Sequence, residues 1–318
     1  MIRSKHKLNK IEKCLREDIR SLNLLKIIVT VSGGADSLTL LHALRSTKAE
    51  ILAAHCNFHL RGDESMRDQH HVEQICKNLG VELIVKDFDV DGFINSSKGN
   101  SVEMACRKLR YDWFDQLAEQ HGADRIATGH NADDNIETLF LNLMRGSGTT
   151  GLKGMVPDNG RIWRPLLRFH RHEIEGYLKE CGIDFITDSS NLSSDYRRNF
   201  LRNEVIPMLR SRWEGFDKAL DRSITLLRSE NRVVAACVEE NLPTNGEPLK
   251  ATVVLRFPDP ELLVRRYIEP LNPFTTTAGE VVAAIKANKP DLKTWSLKGG
   301  KLILRNGELQ LHSHILKE

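Results

Sequence analysis

The stretch Ser32-Gly33-Gly34-Ala35-Asp36-Ser37 lies between an apolar, β-branched run at residues 24–31 and a segment with helical patterning at 36–45. Strand, glycine turn and helix start, in that order, make a seat for an anion. Glycine lets the backbone take positive φ and come close to a ligand. The helix start presents free N–H groups and the positive end of its dipole. Ser32 and Ser37 add hydroxyl donors. Asp36 is an acid in a phosphate site, which makes sense if it holds a divalent cation. The stretch lacks the Gly-Lys-Ser/Thr ending of a Walker loop and the spacing Gly-x-Gly-x-x-Gly. The plainer reading is a strand-to-helix turn in which Ser32 or Asp36 caps the helix.

Outward from this loop the alternation continues. Residues 51–57, 82–87 and 125–129 are further strand-like runs, with 162–166 as one more. Residues 63–79, 103–121, 132–144 and 170–180 carry helical patterning, with Met104, Leu109, Trp113 and Leu117 near helical spacing in the second of them. Strands alternating with helices of this length imply βαβ units. The expected fold is α/β, a Rossmann-like parallel sheet whose right-handed crossovers place helices on both faces. Such sheets bind ligands at the carboxyl ends of their strands, where the glycine stretch lies. Residues 146–160 and 188–195 read as loops.

From about Trp213 the texture changes. Phe216, Leu220, Ile224, Leu227 and Val234 mark an amphipathic helix, 242–248 a linker, and 261–268 and 278–287 two shorter helices. Residues 294–297, 301–305 and 308–312 read as a β-meander, with turns at Gly299-Gly300 and Asn306-Gly307. A boundary near residue 212 is expected to divide an N-terminal domain, 1–212, from a smaller, mainly helical C-terminal domain, 213–318, ending in the meander.

At roughly 100–200 residues per domain, the 318 residues suit two domains. With 40% hydrophobic and 28% charged residues, the chain is not wholly disordered, collagen-like or coiled-coil. No apolar run approaches the ~20 residues of a membrane helix, and residues 1–13 lack the apolar core of a secretory signal. Six scattered cysteines without a Cys-x-x-Cys pair fit reduced thiols in a cytoplasmic protein. The net charge of +3 is locally concentrated: residues 1–20 hold seven Lys/Arg against three acids, residues 197–232 nine against five. Such surpluses suit a polyanion partner or a solvated helix face.

Four further clusters stand out. In Asn57-Phe58-His59-Leu60-Arg61, His59 and Arg61 can stabilise phosphate charge, or simply belong to a loop before a helix with acidic caps. Glu103 and Arg107 are an i,i+4 pair, while Arg107 and Arg110 share a face that can clamp a phosphate or base. Thr128-Gly129-His130-Asn131-Ala132-Asp133-Asp134-Asn135-Ile136-Glu137-Thr138 brings His130, Asp134 and Glu137 together for a cationic substrate or a metal, although Asp133 and Asp134 also suit a helix start. A zinc site lacks a third ligand at typical spacing. The fourth cluster combines Arg145-Gly146-Ser147-Gly148, Arg164-Pro165-Leu166-Leu167, Asp188-Ser189-Ser190-Asn191 and the basic run from Arg197 to Asn203. Its arginines reach polyanion phosphates or line a solvated helix.

Ser-Gly-Gly-x-Asp-Ser resembles the PP-loop of the ATP pyrophosphatase superfamily, whose members cleave ATP between the α and β phosphates. The wider combination is similar to the bacterial tRNA(Ile)-lysidine synthase family. It consists of Asn-x-His-x-Arg, Arg-x-x-Arg-Tyr, Gly-His-x-x-Asp-Asp-x-x-Glu-Thr, Arg-Gly-x-Gly and Asp-x-Ser-Asn followed by Arg-Asn, in order across residues 24–203. The resemblance implies a ligase that uses ATP and Mg2+. It adenylates the wobble cytidine of tRNA(Ile) with a CAU anticodon, and the ε-amine of free L-lysine then displaces AMP. By the same resemblance Ser32, Gly33, Gly34, Ala35, Asp36, Ser37, His59 and Arg61 bind ATP, with Mg2+ at Asp36. Asp36, Arg110 and Asp134 are catalytic. His130, Asp134 and Glu137 hold lysine, and Arg107, Arg145, Arg197, Arg198 and Arg202 contact tRNA.

Lysine's ammonium, with a pKa of ~10.4, must lose a proton before it attacks, and Asp134 is the expected base or positioning group. With 6% aromatic residues, RNA binding is expected to rest on arginine and backbone contacts and to weaken with salt. A monomer or homodimer is expected. Many family members continue into a second C-terminal domain, so this chain, which stops after its meander, is a short form or a truncated one. Two rivals stay open. Another PP-loop tRNA-modifying enzyme, such as a thiolase, would want cysteines in a different pattern. A non-catalytic ATP-binding sensor would not need the Arg-x-x-Arg and Asp-Asp-x-x-Glu clusters.

Overall fold

A computed structural model of the chain describes residues 8–96, 101–186, 197–244, 246–271, 276–287 and 292–313. It divides into two compact units, Met1–Arg228 and Ser229–Glu318.

In the first unit β1 (Lys26–Thr30), β2 (Glu50–Asn57), β3 (Glu82–Asp87), β4 (Arg125–Ala127) and β5 (Ile162–Trp163) form one sheet in the order β3-β2-β1-β4-β5, every pair parallel. Its helices are α1 (Lys10–Leu22), α2 (Ala35–Arg45), α3 (Asp63–Leu79), α4 (Val90–Ser96), α5 (Val102–His121), α6 (Ala132–Met144), α7 (Thr149–Leu152), α8 (Arg171–Cys181), α9 (Arg197–Phe200), α10 (Ile206–Arg212) and the first half of α11 (Phe216–Glu239). Along β1 the side chains alternate. Ile27 and Val29 join a core with Leu15 of α1, Leu38 of α2 and Tyr177 of α8, whereas Ile28 joins Trp113 and Phe114 of α5 on the opposite face. Both faces are thus buried under helices, the doubly wound α/β fold the alternation predicts.

Three elements differ from the sequence reading. Residues 1–20, read as a charge surplus, hold most of α1, Lys10–Leu22. Asn9 Oδ1 accepts the Ile11 N–H at 3.0 Å and Glu12 reaches back to the Asn9 N–H at 3.0 Å, a capping box. Ile11, Leu15 and Ile19 then bury one stripe of the helix. The strand expected at 162–166 stops at Trp163, because Pro165 has no N–H for the ladder and opens a 3-10 turn, Pro165–Arg168. The loop expected at 146–160 holds the single-turn helix α7. Residues 188–195 lie outside the described residues.

Between α9 and α10 the helix widens into a π turn, Leu201–Val205, in which the Ile206 N–H bonds back to Leu201 O. Pro207 follows at once. It offers no N–H to Asn203 O and its ring presses on that carbonyl, which a wider turn relieves.

The second unit begins within α11, past the boundary expected near 212. The first half of α11 packs with the first unit: Arg228 Nη2 donates to Met155 O at 2.9 Å, and Ile224 is buried. The unit continues through β6 (Leu249–Lys250), α12 (Ala251–Arg256), α13 (Pro260–Ile268), α14 (Thr277–Lys286), β7 (Lys293–Leu297), β8 (Gly300–Arg305) and β9 (Glu308–Ser313). The expected meander is present, and β6 adds to its edge in the order β6-β9-β8-β7. Arg305 pairs with Glu308 across Asn306 and Gly307, whose φ values of 52° and 76° make the two-residue turn that Asn-Gly favours. Among the described residues no helix is long and apolar enough to cross a membrane.

Candidate active site

The strand order reverses between β1 and β4, and the carboxyl ends of these two strands open into a cavity of ≈ 480 Å³. This is where open α/β sheets bind ligands. The glycine loop forms one wall. Gly33 has φ +89°, whereas Gly34 is extended at φ −77°, so only the first glycine uses the left-handed region. Gly34 caps α2 without any side-chain bond. Ser32 Oγ reaches only the Gly34 N–H, at 3.5 Å, and among the described residues no side chain bonds the first N–H groups within α2, which suits an anion seat. Ser37 braces the loop from within: its hydroxyl accepts the Ser32 N–H at 3.1 Å and donates to Gly34 O at 3.0 Å. Gly129, at the end of β4, lets that strand press on α2. A Cβ there would stand 3.0 Å from Ser37 N.

Asp36 is held at both oxygens. Asn131 Nδ2 donates to Oδ1 at 2.8 Å and Arg171 Nη1 to Oδ2 at 2.8 Å. Burial pushes the Asp36 carboxyl up, and the Arg171 charge and Asn131 bond only partly oppose it. Among the described residues no three Asp, Glu, His or Cys side chains gather as a metal site. A cation at Asp36 would draw its remaining ligands from phosphate and water, which suits Mg2+.

The opposite wall is α6 with α9. Asp134 accepts from Arg198 Nη2 at 3.2 Å and Arg202 Nη2 at 2.9 Å. Glu137, 1% exposed, accepts from Arg198 Nε and Arg202 Nε, each at 2.6 Å. These two arginines, expected on polyanion phosphates, here neutralise the two carboxylates expected on a cationic substrate. His130 Nδ1 lies 2.8 Å from Thr128 Oγ1, and burial, with Arg164, Arg198, Arg107 and Arg110 around it, pushes its pKa down to about 3. The imidazole is neutral at any ordinary pH.

The third wall is α5. Arg107 and Arg110 line the cavity, Arg110 with its guanidinium 5.2 Å from the Phe58 ring centroid and Arg107 4.9 Å from that of Tyr111. Cys56 of β2 also faces in, its thiol pushed up to about 12 by burial.

The cavity thus gathers Ser32, Gly34, Asp36 and Ser37 with Arg107, Arg110, His130 and Asp134, and with Arg198 and Arg202. Gly33 and Ala35 belong to its loop, and Glu137 stands behind the two arginines. Besides these three, four expected residues do not line it. His59 Nε2 is 2.6 Å from Asp87 Oδ1, Arg61 Nη2 is 2.9 Å from Asp68 Oδ2, and Arg145 and Arg197 are exposed. Sequence reasoning gave no role to Asn131 or Arg171. A cation in the first turn of a helix, where the dipole disfavours it, was the available sign that Arg171 has a carboxylate partner.

Behind α6 the ion pairs continue. Asp133 accepts the Arg171 N–H at 2.7 Å and pairs with Arg210. Burial alone would raise its carboxyl, yet His170, the Arg171 N–H and Arg210 together hold it far below the usual range. His170 stands 3.4 Å from Asp133 and 3.1 Å from Asp221, and these two carboxylates lift its pKa to about 10.

Residues 4–209 match a family described as PP-loop domain. The chain is 40% identical over 248 residues to a tRNA(Ile)-lysidine synthase of Bacteroides thetaiotaomicron, covering 77% of this chain and 58% of that one. It is 44% identical over 215 residues to a protein of the same name from Porphyromonas gingivalis, covering 66% and 47%. The chain spans about half the length of the curated relatives it matches. Among solved structures, the U34-tRNA thiolase NcsA from Methanococcus maripaludis with its [4Fe-4S] cluster shares the fold, with a TM-score of 0.56 at 16% identity over 69% of this chain and 78% of that one. Loop, crevice and sequence match coincide over one stretch, and by them the chain belongs to the PP-loop domain family.

Proposed function

We propose that this chain carries the catalytic part of a tRNA(Ile)-lysidine synthase, a C–N bond-forming ligase acting on the wobble cytidine of tRNA(Ile) with a CAU anticodon. The observation that carries the reading is the apposition, in one cavity, of an uncapped helix start beside Asp36 with a carboxylate, Asp134, already holding cationic groups. The relatives named above support it through their names.

In this reading residues 1–212 bind ATP and residues 213–318 contact tRNA. The start of α2 and its loop hold the pyrophosphate portion of ATP. Asp36 would hold Mg2+, which would supply positive charge against the phosphates. Arg110 sits beside the base and the α-phosphate, where negative charge develops as cytosine O2 attacks and pyrophosphate leaves. Neutral His130 offers a hydrogen bond and no charge. Asp134 exchanges its arginines for the ε-ammonium of lysine, takes its proton, and so frees the amine to attack C2 and release AMP. Arg107, Arg145, Arg197, Arg198 and Arg202 pair with RNA phosphates. A single-stranded anticodon base pays little to leave its stack.

The test is incubation of the chain with ATP, Mg2+, labelled lysine and unmodified tRNA(Ile), with Asp36→Ala as control. Label entering RNA only when ATP is present supports the reading. Pyrophosphate release without lysine transfer points to another PP-loop enzyme, and ATP binding without turnover to a sensor.

A further inference from the structure

The first turns of α5 carry a stripe that runs from the cavity outward. Met104, Lys108 and Tyr111 recur at helical spacing and, with Arg107, Ile162 and Arg164, wall a second hollow of ≈ 470 Å³. Arg107 and Tyr111 line both hollows, so the second continues the first outward over α5.

Its surface combines three properties. It is basic, with Arg107, Lys108 and Arg164 against Asp112, which pairs with Lys108 at 2.8 Å. It offers flat and soft apolar area, since Met104 is 59% exposed next to Tyr111. It is braced before anything binds. Arg107 lies over the Tyr111 ring at 4.9 Å, and Arg164, which lines the same hollow as Tyr111, is anchored through Nη1 on Val156 O at 2.9 Å. A fixed aromatic ring among cations is what single-stranded nucleic acid uses: bases stack on the ring and phosphates pair with the cations. An acidic peptide would use the charges and leave the ring and thioether unexplained. A base entering the cavity must also bring its neighbours, and this hollow lies at the cavity's side.

We propose that the groove over Met104, Lys108, Tyr111 and Arg164 seats the single-stranded nucleotides flanking the base that enters the cavity. This rests on the RNA-modifying reading above.

RNA binding is measured apart from turnover, by fluorescence anisotropy with a labelled CAU anticodon stem-loop, for the intact chain and for Met104→Glu and Lys108→Ala. Both sites are exposed, and ATP affinity is read alongside as a check on folding. Met104→Glu is expected to weaken stem-loop binding about tenfold. Lys108→Ala is expected to weaken it several-fold and lower the slope of log K against log salt by about one. ATP affinity stays unchanged in both. With p-benzoylphenylalanine at position 104, cross-links are expected at nucleotides next to the wobble position. Unchanged binding in both variants, or cross-links only to the stem, overturns the groove. A wild-type chain that binds the stem-loop but transfers no lysine overturns the functional reading alone, and one that binds no RNA overturns both.

Discussion

Asn131 joins the two sides of the cavity: its Nδ2 donates to Asp36 Oδ1 at 2.8 Å while its Oδ1 accepts the Asp134 N–H at 3.0 Å. One buried amide therefore sets the start of α2 against the start of α6. Removing it in Asn131→Ala costs a helix cap and a bond to a charged group, about 2 kcal/mol together. For a domain of this size that lowers Tm by about 4–8 °C. Pyrophosphate release is expected to fall at least tenfold, since Asp36 loses its orientation. Asn131→Asp keeps the cap but sets a carboxylate against Asp36, so it melts closer to wild type and turns over less than Asn131→Ala. Thermal melts and pyrophosphate assays on the pair separate the two roles, and full activity in Asn131→Ala would sink the orienting one.

The three glycines of the site make different demands. Gly33→Ala forces a Cβ onto φ +89° within 3.4 Å of Val72 and is expected to destabilise the fold by about 1–2 kcal/mol. Gly34→Ala meets nothing nearer than 3.6 Å, so it is expected to melt like wild type. Its cost appears in ATP affinity, because the new methyl stands at the open helix start. Gly129→Val pushes β4 off α2 and damages both. Melting and ATP titration of the three variants check this order, which fails if Gly34→Ala unfolds early.

Glu137 is the most buried acid of the site, and two guanidiniums converge on it. Glu137→Ala leaves both with Asp134 as their remaining carboxylate. The cost lies at the low end of the ~3–5 kcal/mol for breaking a buried pair, because Arg198 and Arg202 are 42% and 34% exposed and water replaces part of the loss. Urea unfolding measures it. A loss below about 1 kcal/mol would mean the two arginines are not anchored there.

Two perturbed histidines of this region, His170 and His130, act on opposite limbs of the pH–stability curve. His170 keeps its proton in the fold up to about 10, while an unfolded histidine loses it near 6.5. Its stabilisation is therefore complete below about 6.5 and disappears as pH rises through about 10. His130 stays neutral down to about 3, so below about 6.5 the unfolded chain gains a proton that the fold refuses, and stability falls with pH. His170→Gln is expected to flatten the alkaline limb of Tm against pH. His130→Gln should flatten part of the acid limb, which it shares with Asp133. The reverse pattern would contradict both placements.

The sheet and its crevice were legible because a short apolar, β-branched run and strand–turn–helix order are local signals, and Ile27, Ile28 and Val29, all buried, display the first directly. α1 was also written locally, in Asn9 and Glu12 and in the spacing of Ile11, Leu15 and Ile19, but its lysines and arginines drew the reading toward charge. Arg171 lies 135 residues from Asp36, and no spacing rule reaches that far. His59 and Arg61 follow a strand end at the crevice side of the sheet, yet Asp87 and Asp68 compete for them at shorter range. Arg198 and Arg202 show that a charge pattern names the charges and leaves their partners to the tertiary fold.

The π turn at Leu201–Val205 takes up one extra residue within a single helical segment. Eight regular steps of about 100° would set Arg202 and Arg210 about 80° apart, and a turn that absorbs one residue brings them back to about 20°. Arg198 ahead of the turn and Arg202 within it address Asp134 and Glu137, and Arg210 beyond it addresses Asp133. The wide turn beside Pro207 thus keeps three arginines along one edge of the segment, where a regular helix of the same sequence would swing the last of them away from α6.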